Sequence, residues 1–188
     1  MTGSRALRAE WTKLRTVRST TWSIAAIVGL TIALTAFLCS LAQTDAARVG
    51  EGDDDIVANS LFGVHLGLIA VVAFAALAVA SEYRTGTIRA TFTAMPRRGA
   101  VLGAKALLVS TVVFCSGLVA SAASFLLGQP LLHGGGFVPP AYPHVSLVDP
   151  PVVRAVVGTA AFLAALGLFA LGVATIVRRA AAAIATVL

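Results

Sequence analysis

The sequence predicts an all-α membrane protein, a polytopic helical bundle with four complete transmembrane helices and the start of a fifth. Three observations predict it. Hydrophobic residues fill 58% of the 188 positions and charged residues only 12%, with a mean hydropathy of +0.92, far from the balance of a water-soluble domain. Four apolar runs, at residues 22–42, 59–80, 101–127 and 152–177, are each long enough to cross a hydrocarbon core of about 30 Å at about 1.5 Å per residue. The Lys and Arg residues alternate sides with every crossing. Arg5, Arg8, Lys13, Arg15 and Arg18 precede the first run; Arg84, Arg89, Arg97, Arg98 and Lys105 follow the second; Arg178 and Arg179 close the fourth. The remaining connections hold only Arg48, amid Asp45, Glu51, Asp53, Asp54 and Asp55, and Arg154, a split of twelve basic residues against two. The N-terminus is therefore expected in the cytoplasm. The net charge of +6 and pI near 10.4 carry topology here, not a nucleic-acid footprint.

Ahead of the first run, Leu7, Trp11 and Leu14 recur at i, i+4 and i+7, with Arg5, Arg8 and Arg15 on the other side. This spacing predicts an amphipathic helix over 5–18 lying along the membrane interface; a merely basic topogenic leader is the plainer alternative. The first run holds nine Leu, Ile, Val or Phe residues and no charge, so insertion is favoured by several kcal/mol at about 0.3–0.6 kcal/mol each. A cleaved signal is disfavoured because the leader is long, contains Glu10, and is followed by three more runs, while Leu38 before Cys39 spoils a lipoprotein cleavage box. The third and fourth runs exceed the minimum length and should tilt or protrude.

Small residues suggest how the spans pack, since helix association in lipid depends on close backbone approach. Such faces are expected from Ala26, Gly29, Ala33, Ala36 and Ser40 in the first span, and from Gly103, Ser110, Gly117, Ser121, Ser124 and Gly128 in the third. Gly158, Ala161, Ala165 and Gly172 form another in the fourth. Residues 129–151, rich in proline, with glycine at 134–136 and without Lys or Arg, predict an irregular exterior loop. Residues 180–188 have the composition of the start of a fifth span, covering about 14 Å of the roughly 30 Å needed, so the chain is expected to be a fragment or a truncated form.

Enzyme chemistry finds little support. No P-loop occurs, for Gly99-Ala-Val-Leu-Gly-Ala-Lys105 has neither its spacing nor its Ser/Thr; H-E-x-x-H and G-x-S-x-G are absent as well. Cys39 and Cys115 fall inside apolar runs as packing groups, and no Cys/His cluster has metal-ligand spacing, so no disulfide, metal or cofactor is expected. Ser116, with Gly117 after it, and His65 both fall in outer halves of spans, as a serine nucleophile and its base would need, but Phe114 and Cys115 precede the serine where a glycine belongs. His65 is better read as bonding a neighbouring helix, and Arg154 as snorkelling to headgroups.

The segment after the second run is the most informative. Glu82 follows the run directly, Thr85-Gly86-Thr87 permits a bend, and Ile88, Phe92 and Met95 recur at i, i+4 and i+7 before Pro96. A short cytoplasmic helix with one apolar face over 82–98 follows, and a reentrant or interfacial helix that only completes a connection has the same pattern. Glu82-Tyr-Arg-Thr-Gly-Thr-Ile-Arg89, then Pro96-Arg97-Arg98 and Lys105, resembles the cytoplasmic connection after the second span of ABC-2 type transporter permeases. Glu10-Trp-Thr-Lys-Leu-Arg-Thr-Val-Arg18 is similar to that family's N-terminal segment, and Asp149-Pro150 with Arg154, and Arg178-Arg179, resemble later portions.

The resemblance implies the membrane-spanning permease of a bacterial plasma-membrane exporter, paired with a second permease subunit (a copy or a different chain) and driven by a separate ABC ATP-binding subunit. It implies that the segment after the second span is a coupling helix docking on the ATPase, through Glu82, Arg84, Thr85, Gly86, Thr87 and Arg89. It also implies that Trp11, Lys13, Leu14 and Arg15 belong to an interfacial helix beside membrane lipid. The chain departs from the family in lacking the rest of a fifth span and a sixth, which puts transport by this chain alone in doubt. A multi-pass scaffold or anchor without a transport cycle would share every span and differ only in lacking a nucleotide-dependent partner. No buried acidic pair marks an ion path, so the cargo is not legible.

Overall fold

Every described segment with regular structure is helical. The computed structural model describes residues 8, 11, 12, 18–44, 56–86, 98–134 and 145–188. In chain order the elements are α1 (Arg18–Thr44), α2 (Ile56–Leu61), α3 (Val64–Thr85), α4 (Arg98–Gly134), α5 (Pro150–Val177) and α6 (Ala180–Val187). Four of these, α1, α3, α4 and α5, are long and apolar enough to cross a membrane, which makes the chain a multi-pass membrane protein. Large side chains on their outer faces, such as Phe37, Phe162, Phe169 and Leu126, stand exposed, as lipid-facing residues do because acyl chains are as apolar as they are.

The four long helices form a ring whose order differs from the sequence. Helix α1 packs on α3 and α4, α5 packs on the same two from the opposite side, and α3 and α4 touch only sparingly. The central core draws on Val71, Val72, Ala75, Ala76 and Val79 of α3, Val109 and Val113 of α4, and Leu163, Ala170 and Ala174 of α5. Gly167 of α5 faces this centre, where a Cβ would make ordinary van der Waals contact, 3.4 Å from Val71 Cγ1 and 3.5 Å from Val113 Cγ2. A smaller cluster of Phe125, Val152 and Val156 holds the other end of the α4–α5 seam.

Several boundaries depart from the hydropathy reading for local reasons. The run at 59–80 is broken at Phe62 and Gly63, where α2 turns into α3 through tight i to i+3 bonds, His65 N–H to Phe62 O (3.2 Å) and Leu66 N–H to Gly63 O (3.2 Å). Helix α3 runs past Ala80 to Thr85. Part of the expected exterior loop is helical: α4 continues through Pro130 to Gly134 over 37 residues, about 55 Å at 1.5 Å per residue, held near its end by Leu132, which is 2% exposed. Pro150 and Pro151 open α5, where a missing N–H costs no intrahelical bond.

The small-residue faces are corrected in two of three spans. In α1 the buried line is Ile27, Thr31, Thr35 and Cys39, whereas Gly29, Ala33 and Ser40 point outward. In α5, Gly158, Ala161 and Ala165 are exposed, and nothing lies within 4 Å of a Cβ built at Gly158 or Gly172. Only the later part of the α4 face is buried. A Cβ at Gly117 would come 3.3 Å from Ala160 Cα, one at Gly128 would come 3.1 Å from Ser60 Cβ, and the Ser121 hydroxyl bonds Gly117 O at 2.7 Å. Small residues permit close approach without requiring it, so their spacing does not say which side meets a helix.

The seam between α1 and the α2–α3 junction is polar and tight. Gly63 and Gly67 face Thr31 and Thr35: a Cβ on Gly63 would strike Thr31 O, Thr35 Oγ1 and, at 2.7 Å, Thr35 N, and one on Gly67 would strike Thr31 Oγ1. Thr31 donates its hydroxyl to Ile27 O at 2.6 Å. Thr35 Oγ1, equally buried, has no hydrogen-bond partner among the described residues. Because an unmet buried hydroxyl costs about 1–3 kcal/mol, Thr35→Val should raise the unfolding midpoint in detergent micelles, and a lowered midpoint would show that the hydroxyl is engaged.

Candidate functional site

Four of the sequence-predicted site residues, Glu82, Arg84, Thr85 and Gly86, lie at the end of α3. Residues Glu82, Arg84 and Thr85 lie on the final turn of α3, so this part of the segment continues a spanning helix. The helix stops at Gly86, which takes the left-handed conformation (φ 72°, ψ 0°), its N–H reaching Tyr83 O at 3.4 Å. That is a glycine C-cap: with no Cβ, the residue enters the left-handed region without penalty. The bend expected at Thr85-Gly86-Thr87 is thus centred on Gly86. Thr87 and Arg89 lie outside the described residues, as does the rest of the expected helix up to Arg97.

Two contacts brace this end. Tyr83 is half-buried and packs against the central core. Lys105, only 8% exposed, donates from Nζ to Ala78 O at 3.2 Å, tying the start of α4 to α3 one turn before Glu82. An ammonium in an apolar surround needs such an acceptor. The sequence marked Lys105 as a topology charge but gave no sign that it points inward across the bundle.

Of the expected interfacial helix, Arg8, Trp11 and Thr12 are described. All three are helical and exposed, Trp11 at 51%, and Thr12 donates its hydroxyl to Arg8 O at 2.8 Å. Lys13, Leu14 and Arg15 fall outside the described residues.

The serine–histidine pair is not assembled. The Ser116 hydroxyl is buried and donates to Val113 O of its own helix at 3.1 Å. His65 is exposed, its Nδ1 bonding Phe62 O at 2.8 Å and its ring resting 4.5 Å from that of Phe62. It therefore secures the α2–α3 turn instead of reaching a neighbouring helix. Both cysteines are free thiols, Cys39 buried and Cys115 exposed. At the opposite end, Arg154 stands exposed in the second turn of α5, and Asp149 precedes that helix, its carboxylate accepting from Ser146 N–H at 2.6 Å.

Sequence reasoning passed over the Gly63-x-x-x-Gly67 pair that seats α1, although small residues four apart in an apolar run are a readable packing signal. It also treated Tyr83 and Arg178 separately, whereas the Arg178 guanidinium carbon sits over the Tyr83 ring, 5.7 Å from its centroid. No protein-family model, curated protein or solved structure matches this chain.

Proposed function

We propose that this chain is the membrane-spanning permease of a bacterial ABC-2 type exporter, multi-pass with its N-terminus in the cytoplasm, working with a separate ATP-binding subunit and a second permease subunit. The resemblance of residues 82–98 motivates the reading, and one structural observation carries it further: Glu82, Arg84 and Thr85 sit on a helix that runs unbroken into the core. A load applied to that charged turn passes along α3 to Val79, Ala76, Ala75, Val72 and Val71, all buried, and through the Lys105–Ala78 contact to α4. A coupling segment needs this arrangement: a polar face for a soluble motor, joined rigidly to the elements that rearrange around cargo. The interfacial helix around Trp11 would lie in the headgroup layer beside it. These 188 residues hold no P-loop, which agrees with a motor on a separate subunit.

The test is co-purification of ATPase activity. The tagged protein, extracted gently from its native membrane, should bring down an ATP-hydrolysing subunit. Glu82→Lys should reduce the recovered activity about tenfold or more, since reversing a charge at a polar contact commonly costs over 1.4 kcal/mol. Recovery unaffected by the substitution would remove Glu82 from the docking surface, and absence of ATPase from both samples would favour a scaffold.

A further inference from the structure

Where α5 gives way to α6, the bundle forms an open cleft of about 420 Å³, within the size range of small-molecule sites. Its rim is cationic. Arg178 and Arg179, both exposed, line it from the α5–α6 turn. Arg178 adopts the left-handed conformation (φ 57°, ψ 12°) and is the only non-glycine with positive φ among the described residues, a geometry disfavoured for any side chain with a Cβ. Here it brings the guanidinium over Tyr83, where the ring face attracts the cation and fixes it beside the cavity.

The remaining walls supply complementary chemistry. Ser81 and Tyr83 line it from α3, and Ala180 and Ala181 belong to the first turn of α6, whose N-cap, Arg179, makes no side-chain capping bond. The first intrahelical bond of α6 is Ala183 N–H to Arg179 O, so the N–H groups of Ala180 and Ala181 remain for an acceptor from outside the helix. Leu77 and Ala80 also line it, and Leu77 is 48% exposed on the apolar outer surface of α3. The cavity is therefore cationic and donor-rich at one side and continuous with the lipid-facing surface at the other.

We propose that this cavity binds the phosphate of an anionic phospholipid, its headgroup between Arg178 and Arg179 and its acyl chains along Leu77. Guanidinium groups suit a phosphate because their planar fork gives paired donors, and the apolar side favours a lipid over free phosphate. The inference holds for a transporter and a scaffold alike.

The experiment is native mass spectrometry of the purified, delipidated protein in micelles containing equal amounts of dioleoyl-phosphatidylglycerol and dioleoyl-phosphatidylcholine. Wild type should retain one phosphatidylglycerol in clear preference to phosphatidylcholine. Arg178→Gly and Arg179→Gln should each weaken retention about fivefold, the contribution of one basic residue at a membrane surface. Arg178→Gly removes the guanidinium while suiting the left-handed backbone, so an unfolding midpoint at or above wild type, with weakened retention, separates loss of the site from loss of the fold. Arg179→Gln, at an exposed position in extended backbone, is the second variant if the first perturbs the turn. Equal retention of the two lipids, or retention unchanged in both variants, would overturn the proposal. Displacement of the lipid by equimolar inorganic phosphate would reassign the cavity to the free anion and overturn the lipid.

Discussion

Gly63→Val is expected to destabilise the bundle by about 3 kcal/mol or more, at the upper end of what overpacking costs, seen as a lowered unfolding midpoint and loss of the monodisperse peak in detergent. The cause is backbone meeting backbone. The added side chain would strike Thr31 O and Thr35 N, which are main-chain atoms of α1 and cannot swing aside as a side-chain end can. Relief requires α1 to move away as a unit, opening its contact with the α2–α3 junction and with α4. Gly29→Ala provides the comparison, since nothing lies within 4 Å of a Cβ there, and replacing an outward helical glycine by alanine should if anything stabilise by up to about 1 kcal/mol. An unchanged midpoint for Gly63→Val would show that α1 does not cross at Gly63.

On the proposed function, Gly86→Val is expected to leave insertion and the four spans intact while reducing the ATPase activity that co-purifies with the chain about tenfold. At φ 72° a β-branched side chain costs at least 1–2 kcal/mol, which the chain avoids by leaving α3 in another direction. No atom lies within 4 Å of a Cβ at this position, so the strain is conformational and is not added to by a clash. The segment beyond Gly86 would then depart at an altered angle, misplacing any contact it makes with a motor. Gly86→Asn separates direction from bulk, because asparagine tolerates the left-handed region and should retain most of the activity. Activity equal to wild type in the valine variant would mean that the direction of exit from α3 does not matter for coupling.

Four spanning helices were legible because their apolar runs exceed the bilayer requirement with almost no charge to interrupt them. The break at Phe62 and Gly63 was not, since hydropathy is uniform across it and only the close seat on α1 explains it. Which face of α1 turns inward was misread for a related reason. Inside a membrane both lipid and helix neighbours are apolar, so Gly29 and Ala33 satisfy either, while Thr31 and Thr35, polar enough to suggest an outward or cavity position, lie in the seam. At the candidate site, the bend at Thr85-Gly86-Thr87 was readable from local sequence, and the left-handed cap at Gly86 provides it. The inward reach of Lys105 and the pairing of Arg178 with Tyr83 depend on residues 27 and 95 positions apart, and no local pattern encodes them.

The order of helices around the ring bears on how the chain is made. Synthesis delivers α1 and α3 first, and the seat of Thr31 and Thr35 on Gly63 and Gly67 lets these two pair while the rest is still unwritten. Helix α4 then finds its main early partner in α1, because it touches α3 only sparingly. Until α5 emerges, the inner sides of α3 and α4 have no shared neighbour opposite α1. Helix α5 acts as the keystone of the ring, and a ribosome stalled before Pro150 would leave an open three-helix arc for membrane quality control to recognise.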